Sequence, residues 1–180
     1  MRPFAESDLD DLYRLYSDVL TMQSIPPFRP LSMEETARSL EKMMRNFMKS
    51  GYGEYAVIER KEKRFIGRCG LQPLENSGFT ELDYLFMPDC WGKGYATEAS
   101  MEVLRSAFND WGFERIVAVT SETNKASARV LEKIGMQKGG LGRFYGSEMV
   151  IFSLEKPKES SDSLFRQSYH QSHRLSLRVV

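Results

Sequence analysis

Between Gly51 and Pro88 the hydrophobic pattern repeats every second residue, whereas the segments on either side repeat about every 3.6 residues. A chain that changes period in this way sets helices against a sheet, because neither pattern buries its apolar side chains in the other conformation. Within the stretch, Glu54 to Glu59 (EYAVIE), Phe65 to Leu74 and Phe79 to Met87 read as three strands. A charged turn, Lys61-Glu62-Lys63-Arg64, and a second turn, Glu75-Asn76-Ser77-Gly78, separate them, so the meander reads as antiparallel. Pro88 ends it.

Upstream, residues 6 to 20 are expected to form one helix capped by Ser7, with Leu9, Leu12, Leu15, Tyr16 and Val19 at helical spacing. Pro26, Pro27 and Pro30 exclude a helix between Ser24 and Pro30, since proline fixes φ and removes a donor. A second helix starts at about Ser32, which makes a capping box with Glu35, and stops before Gly51. Downstream, Tyr95 to Trp111 reads as a helix closed by Gly112, Arg115 to Thr120 as a buried strand, and Asn124 to Ile134 as a helix closed by Gly135. Gly139-Gly140 and Gly142 are expected to punctuate a last hairpin whose second strand runs from Glu148 to Leu154. The order α-α-β-β-β-α-β-α-β-β is that of an α+β domain with one βαβ crossover in mid-sheet. This domain covers residues 1–155. Residues 156–180 are serine-rich, polar and mildly basic, and read as a flexible extension. Its end, Leu175 to Val180, could add a strand or bind a partner.

Most of the chemistry lies where the third strand meets the next helix, in Tyr84-Leu85-Phe86-Met87-Pro88 and then Asp89-Cys90-Trp91-Gly92-Lys93-Gly94-Tyr95-Ala96-Thr97-Glu98-Ala99. Two glycines separated by one residue let the backbone approach an anion. A helix that opens at once offers unpaired amides and the positive end of its dipole. Phosphate binding and a plain strand-to-helix turn are both compatible with a Gly-x-Gly alone. The loop is no Walker A motif, because Lys93 lies between the glycines. Nor is it a dinucleotide fingerprint, because Thr97 replaces the third glycine.

The run WGKGYATEA after ELDYLFMP, followed by ETNKASARVLEKIGM, closely resembles the GNAT acetyltransferases. Within them it is similar to the branch that holds the ribosomal-protein alanine N-acetyltransferases of Rim type and the polyamine acetyltransferases. The resemblance runs from Met1 to about Glu155. It implies a GNAT fold, with a mixed, mostly antiparallel central sheet flanked by helices and splayed beside the crossover into a cofactor cleft. It also implies transfer of an acetyl group from acetyl-CoA to a primary amine, either a protein N-terminus or a small amine or polyamine. By the same resemblance, backbone groups of Leu85, Phe86 and Met87 would hold the pantetheine arm. Trp91, Gly92, Lys93, Gly94, Tyr95, Ala96 and Thr97 would wrap the pyrophosphate, and Asn124 would touch the cofactor arm.

An attacking amine has a lysine-like pKa of about 10.4 and must lose a proton. Glu81 is the candidate base, in Glu-Leu-Asp-Tyr where the family usually reads Glu-x-Gly-Tyr. Strand alternation puts Glu81, Asp83 and Leu85 on one face. A backbone N–H near Phe86 or Met87 would stabilise the oxyanion. Many relatives protonate the departing thiolate with a Tyr in the following helix, and Leu131 stands there in this chain. Ser127 is therefore the candidate donor, with Tyr145 as runner-up. Asp83 in place of Gly, Met136 where Phe is usual, and a first strand expected to be short are the other departures. Asp83 and Leu131 leave a second reading open, a non-catalytic acyl-CoA-binding or sensor module. A protein that puts another nucleotide phosphate on the same loop is a third.

Composition narrows the field. Lys and Arg number 25 against 25 Asp and Glu, so no basic field draws in nucleic acid or an anionic membrane. No apolar run approaches the roughly 20 residues of a membrane helix, and MRPFAESDLDD lacks the apolar segment of a signal peptide. A cytoplasmic protein, monomeric or homodimeric, is expected. Both histidines, His170 and His173, follow residue 156, which excludes a Ser-His-Asp triad or a histidine-ligated zinc in the domain. Cys69 and Cys90 read as free thiols, and no metal is implied.

Overall fold

The computed structural model describes residues 1–157, so His170, His173 and the 175–180 segment lie outside the described residues. Seven strands form one sheet in the order β1-β2-β3-β4-β5-β7-β6. β1 (Arg2–Pro3), β2 (Glu54–Ile58), β3 (Phe65–Pro73) and β4 (Thr80–Phe86) are an antiparallel run. The crossover α4 (Tyr95–Asn109) then returns the chain to β5 (Arg115–Thr120), which is parallel to β4. β6 (Gln137–Phe144) and β7 (Ser147–Glu155) complete the sheet, with β7 between β5 and β6. β4 and β5 share one pairing, Glu81 with Val117. From there the two strands part, and the sheet splays in its middle.

Two apolar clusters occupy the two faces. Val103, Leu104, Phe108, Ile116, Leu131 and Phe152 represent the first, which holds α4 and α5 (Lys125–Lys133) against the sheet. The second gathers α1 (Leu9–Tyr16) and α3 (Met33–Ser50) over Ala56, Phe65 and Leu85. Met136 is buried in the first cluster, so methionine fills the place where Phe is usual. Cys69 and Cys90 are free and buried. α3 is bounded as its sequence predicts. Ser32 Oγ accepts the Glu35 N–H, the Glu35 carboxylate accepts the Ser32 N–H, and Gly51 closes the helix at φ 74°.

Three expectations need correction. The single helix over residues 6 to 20 is a 3-10 turn (Glu6–Asp8), α1, and a four-residue α2 (Val19–Met22). Ser7 does not cap it. The buried Asp8 carboxylate accepts the Ala5 N–H at 2.8 Å and pairs with Arg2, while Asp18 caps α2 by accepting the Thr21 N–H at 2.7 Å. The second correction shortens α4, which ends at Asn109 rather than Trp111. The third concerns the last hairpin. Gly139, Gly140 and Gly142 lie inside β6, around an irregular register between Lys138 and Leu141. The reversal is Tyr145-Gly146, where both residues have positive φ, 53° and 76°. Glycine takes that conformation freely, whereas a bulky tyrosine held there costs about 1 kcal/mol or more.

Candidate active site

A single cavity of about 900 Å³ takes its walls from both sides of the splay, with Tyr84 and Phe86 on β4 and Ala118 to Thr120 on β5. It continues beneath α3, where Ser39, Lys42 and Asn46 face it.

Trp91, Gly92, Gly94, Tyr95, Ala96 and Thr97 line one end. Gly92 and Gly94 sit at φ 73° and 89°, and a Cβ added at either would meet nothing within 4 Å. Glycine is needed there for the backbone path rather than for close packing, and the loop's face is open to the cavity. Gly94 is the N-cap of α4 without a side-chain cap, and the first helical bond runs from Glu98 N–H to Gly94 O at 3.0 Å. The N–H groups of Tyr95, Ala96 and Thr97 therefore have no acceptor within the helix and stand at its positive end. Lys93 is in the loop but not on the cavity wall.

At the end of β4 the backbone groups divide between two sides. Met87 N–H donates to Ile66 O at 2.9 Å, toward β3. Gly67 pairs with Phe86, and ladder bonds alternate along an antiparallel pair, so Leu85 also bonds toward β3. Phe86 N–H is the group turned to the splay. Its carbonyl accepts the Trp91 indole N–H at 2.8 Å, which ties the glycine loop to the strand. Leu85 lines the cavity with its side chain, while Met87 packs between the two cores.

Carboxylates dominate the wall under α3. Glu54 on β2 and Asp83 on β4 both pair with Arg68 of β3, whose guanidinium also lies 5.6 Å from the Tyr16 ring. Arg68 is 4% exposed. Burial opposes its charge, but Asp83 and Glu54 more than offset that and hold the guanidinium above its ordinary range. Burial also raises the Glu54 carboxyl. Gln72 bridges Asp83 and Glu81, at 3.2 and 3.3 Å. Tyr145 donates to Oε2 of Glu81 at 2.5 Å. Glu81, 4% exposed, is pushed up to about 8, by burial first and then by the Asp83 charge. We expect Arg68→Ala, which strands two buried carboxylates, to cost about 3–5 kcal/mol in urea unfolding at neutral pH.

On the opposite face of β4, the Tyr84 hydroxyl crosses the splay to Ser127, 2.9 Å from Oγ and 3.2 Å from the backbone oxygen. Burial holds this phenol above its ordinary pKa, so it is neutral. Asn124 caps α5, its side-chain oxygen accepting the Ser127 N–H at 3.1 Å. The cavity thus joins an uncapped helix start, a strand amide turned to the splay, a buried carboxyl and a neutral hydroxyl pair. Among the described residues no cluster could hold a metal ion.

Residues 1–137 match the family model described as acetyltransferase (GNAT) domain. The chain belongs to the GNAT acetyltransferases. It is similar to the uncharacterized Bacillus subtilis protein YkkB, 36% identical over 106 residues, a match spanning 57% of this chain and 62% of that protein. It is also similar to the uncharacterized N-acetyltransferase YoaA of the same organism, at 31% identity over 87% of each chain. Among solved structures, a GNAT-family acetyltransferase from Bacillus anthracis superimposes with a TM-score of 0.75 at 25% identity, over 87% of this chain and 94% of that one.

The GNAT fold with its splayed crossover is therefore the observed architecture. Of the residues singled out in the sequence, one cavity brings together Glu81, Ser127, Asn124, Leu85, Phe86 and the loop without Lys93. Met87 is not on the cavity wall: its amide serves the ladder and its side chain packs between the two cores. Tyr145, the runner-up beside Ser127, bonds Glu81 instead. Leu131 is core. Sequence reasoning missed Tyr84, Arg68 and Gln72. A lone arginine inside the apolar run Phe65-Ile66-Gly67-Arg68-Cys69-Gly70-Leu71 was the signal for Arg68, since a charge there needs buried partners. Tyr84 and Gln72 carried no such mark.

Proposed function

We propose that this GNAT domain moves the acetyl group of acetyl-CoA to a primary amine by direct attack. The observation that carries this reading is the joining, in one cavity, of an uncapped helix start behind a glycine loop with the carboxyl of Glu81. The amides of Trp91 to Thr97 would hold the pyrophosphate, and the arm would run down the splay past Asn124 to the Phe86 N–H. Leu85 shapes this path by packing rather than by donating, and Met87 lies off it. Lys93 adds charge from outside the wall.

The amine nitrogen forms the new bond to the acetyl carbon, its proton goes to Oε1 of Glu81, and the carbon–sulfur bond breaks. Phe86 N–H faces the developing oxyanion. Ser127, backed by Tyr84, donates a hydrogen bond to the departing thiolate, which takes its proton from solvent as Glu81 returns its own to solvent. Because side chains alternate along β4, Glu81 and Tyr84 stand on opposite faces of one strand. Base and leaving-group donor therefore approach from opposite sides.

The charge of the wall supports a cationic acceptor. Among the described residues no hydrogen bond reaches Oε2 of Glu54, Oδ1 of Asp83 or Oε1 of Glu81, and none of these oxygens is sealed away. A protein N-terminus, as in the Rim-type branch, and a small amine or polyamine both present such a cation. The reading places the protein in the cytoplasm, where acetyl-CoA is made available, with neither nucleic acid nor membrane as partner; among the described residues no helix is long and apolar enough to cross a membrane. The test is calorimetric titration with acetyl-CoA, with ATP and NAD as controls, followed by thiol release over a panel of peptides and amines. Saturable acetyl-CoA binding with amine-dependent thiol release is the expected result. Binding without turnover on any amine would instead favour the sensor reading, and preference for ATP or NAD would overturn both.

A further inference from the structure

We propose that Tyr145 is a positioning residue for Glu81, fastening the β6–β7 hairpin to the base and leaving one carboxylate oxygen free for the acceptor. This inference rests on the reading of Glu81 as the base and adds a residue from another part of the chain. Tyr145 lies beyond the 1–137 segment that matches the GNAT family model.

Three observations converge on it. The first is the bond itself. The phenol donates to Oε2 at 2.5 Å across 64 positions of sequence, and Gln72 donates to the same oxygen at 3.3 Å. Both donors sit on Oε2, so Oε1 keeps its lone pairs for the incoming ammonium. The second is the backbone. A two-residue reversal with positive φ at both positions ordinarily takes Asn-Gly or Asp-Gly. This turn has Gly146 in second place but puts a bulky tyrosine in first, at φ 53°. Reach accounts for the ring: Glu81 is on β4, with β5 between that strand and the hairpin, and a short asparagine side chain would not span the distance that the phenol does. The third is burial. Tyr145 lines the same cavity as Glu81, and its phenol is held above the ordinary range by burial and by Glu81 itself.

The charged groups around Glu81 come from several elements. Asp83 is on its own strand, Arg68 on β3 and Glu54 on β2. Glu75, in the β3–β4 turn, acts on Tyr145, and Lys42 faces the cavity from α3 and acts on Glu54. Tyr16 faces Arg68 from α1. Of these, Asp83 raises the Glu81 carboxyl, whereas Arg68, Gln72 and Tyr145 lower it. Tyr145 is the one that a hairpin movement would withdraw.

Two variants of the full chain separate positioning from turn structure. Tyr145→Phe keeps the strained backbone and the ring but loses the hydroxyl. Tyr145→Asn relaxes the turn and also loses it. Glu81 is followed by carboxyl-carbon NMR on glutamate-labelled protein, assigned by its absence in Glu81→Gln. Both variants are expected to move the Glu81 midpoint upward by about one pH unit, the size of a lost hydrogen bond to a charged group. The acid limb of kcat/KM moves by the same amount in both variants. An unmoved midpoint in folded Tyr145→Phe would overturn the proposal. So would Tyr145→Asn with wild-type midpoint and pH profile. The NMR readout needs neither acceptor nor turnover. If the midpoint moves while Glu81→Gln keeps full turnover, the base assignment fails and the Tyr145–Glu81 coupling stands as a measured fact without a catalytic role.

Discussion

Glu81→Gln is expected to lower kcat/KM by about 10²- to 10⁴-fold, the usual contribution of a positioned base, with acetyl-CoA affinity unchanged. Glutamine keeps the volume and can still accept from Tyr145 and Gln72, so the wall stays in place. What it cannot do is take a proton. The pH dependence gives a second signature. As the proposed base, Glu81 would have to be ionised to act, and burial beside Asp83 has pushed it up to about 8, so wild-type kcat/KM is expected to rise through that pH. A bound ammonium lowers it again, so the base is generated as the acceptor arrives. In Glu81→Gln the residual rate lacks this limb. Stability carries the same group with the opposite sign. A carboxyl whose folded pKa lies above its unfolded value favours folding at low pH, and that contribution is lost as pH rises from the ordinary carboxylate range through about 8. Relative to wild type, Glu81→Gln should therefore melt higher at pH 9 than at pH 5. Thermal melts at the two values check this without any substrate.

The second large effect is at the loop. Gly94→Glu is expected to weaken acetyl-CoA binding at least about a hundredfold, a loss near 2.7 kcal/mol by calorimetry. Two causes add. Glu at φ 89° is strained, and its carboxylate sits at the uncapped start of α4, where the pyrophosphate would sit. Gly94→Ala carries the strain without the charge, and should weaken binding far less. Both variants should fold, because a Cβ at residue 94 meets no neighbour within 4 Å. Equal affinities for wild type and Gly94→Glu would remove the loop from the cofactor site.

Much of this was legible in the sequence because the signals are local. The period of two located β2, β3 and β4 to within one or two residues. Ser32 with Glu35 gave the start of α3, and the Gly-x-Gly run gave the junction at α4. The break after α1 was hidden because Leu9, Leu12, Leu15, Tyr16 and Val19 keep helical spacing across it. Asp18 was the mark to notice, as an N-cap residue three positions before the amide it accepts from. In β6 three glycines imitated a turn, while the true reversal carries a tyrosine that a turn rule passes over. The polar wall was illegible for a different reason. Glu54, Arg68 and Asp83 meet from three strands, and Tyr145 meets Glu81 across half the fold, so only tertiary pairing shows them together.

The single pairing of Glu81 with Val117 has a thermodynamic consequence. Within the sheet the two leaves are fastened at one rung, and a molecule lying in the gap would take the place of the missing rungs. Part of the resistance to unfolding then belongs to the ligand, growing with its free concentration to about 2.7 kcal/mol at a hundred times Kd. The amount of folded protein in a cell would follow the supply of its acyl donor.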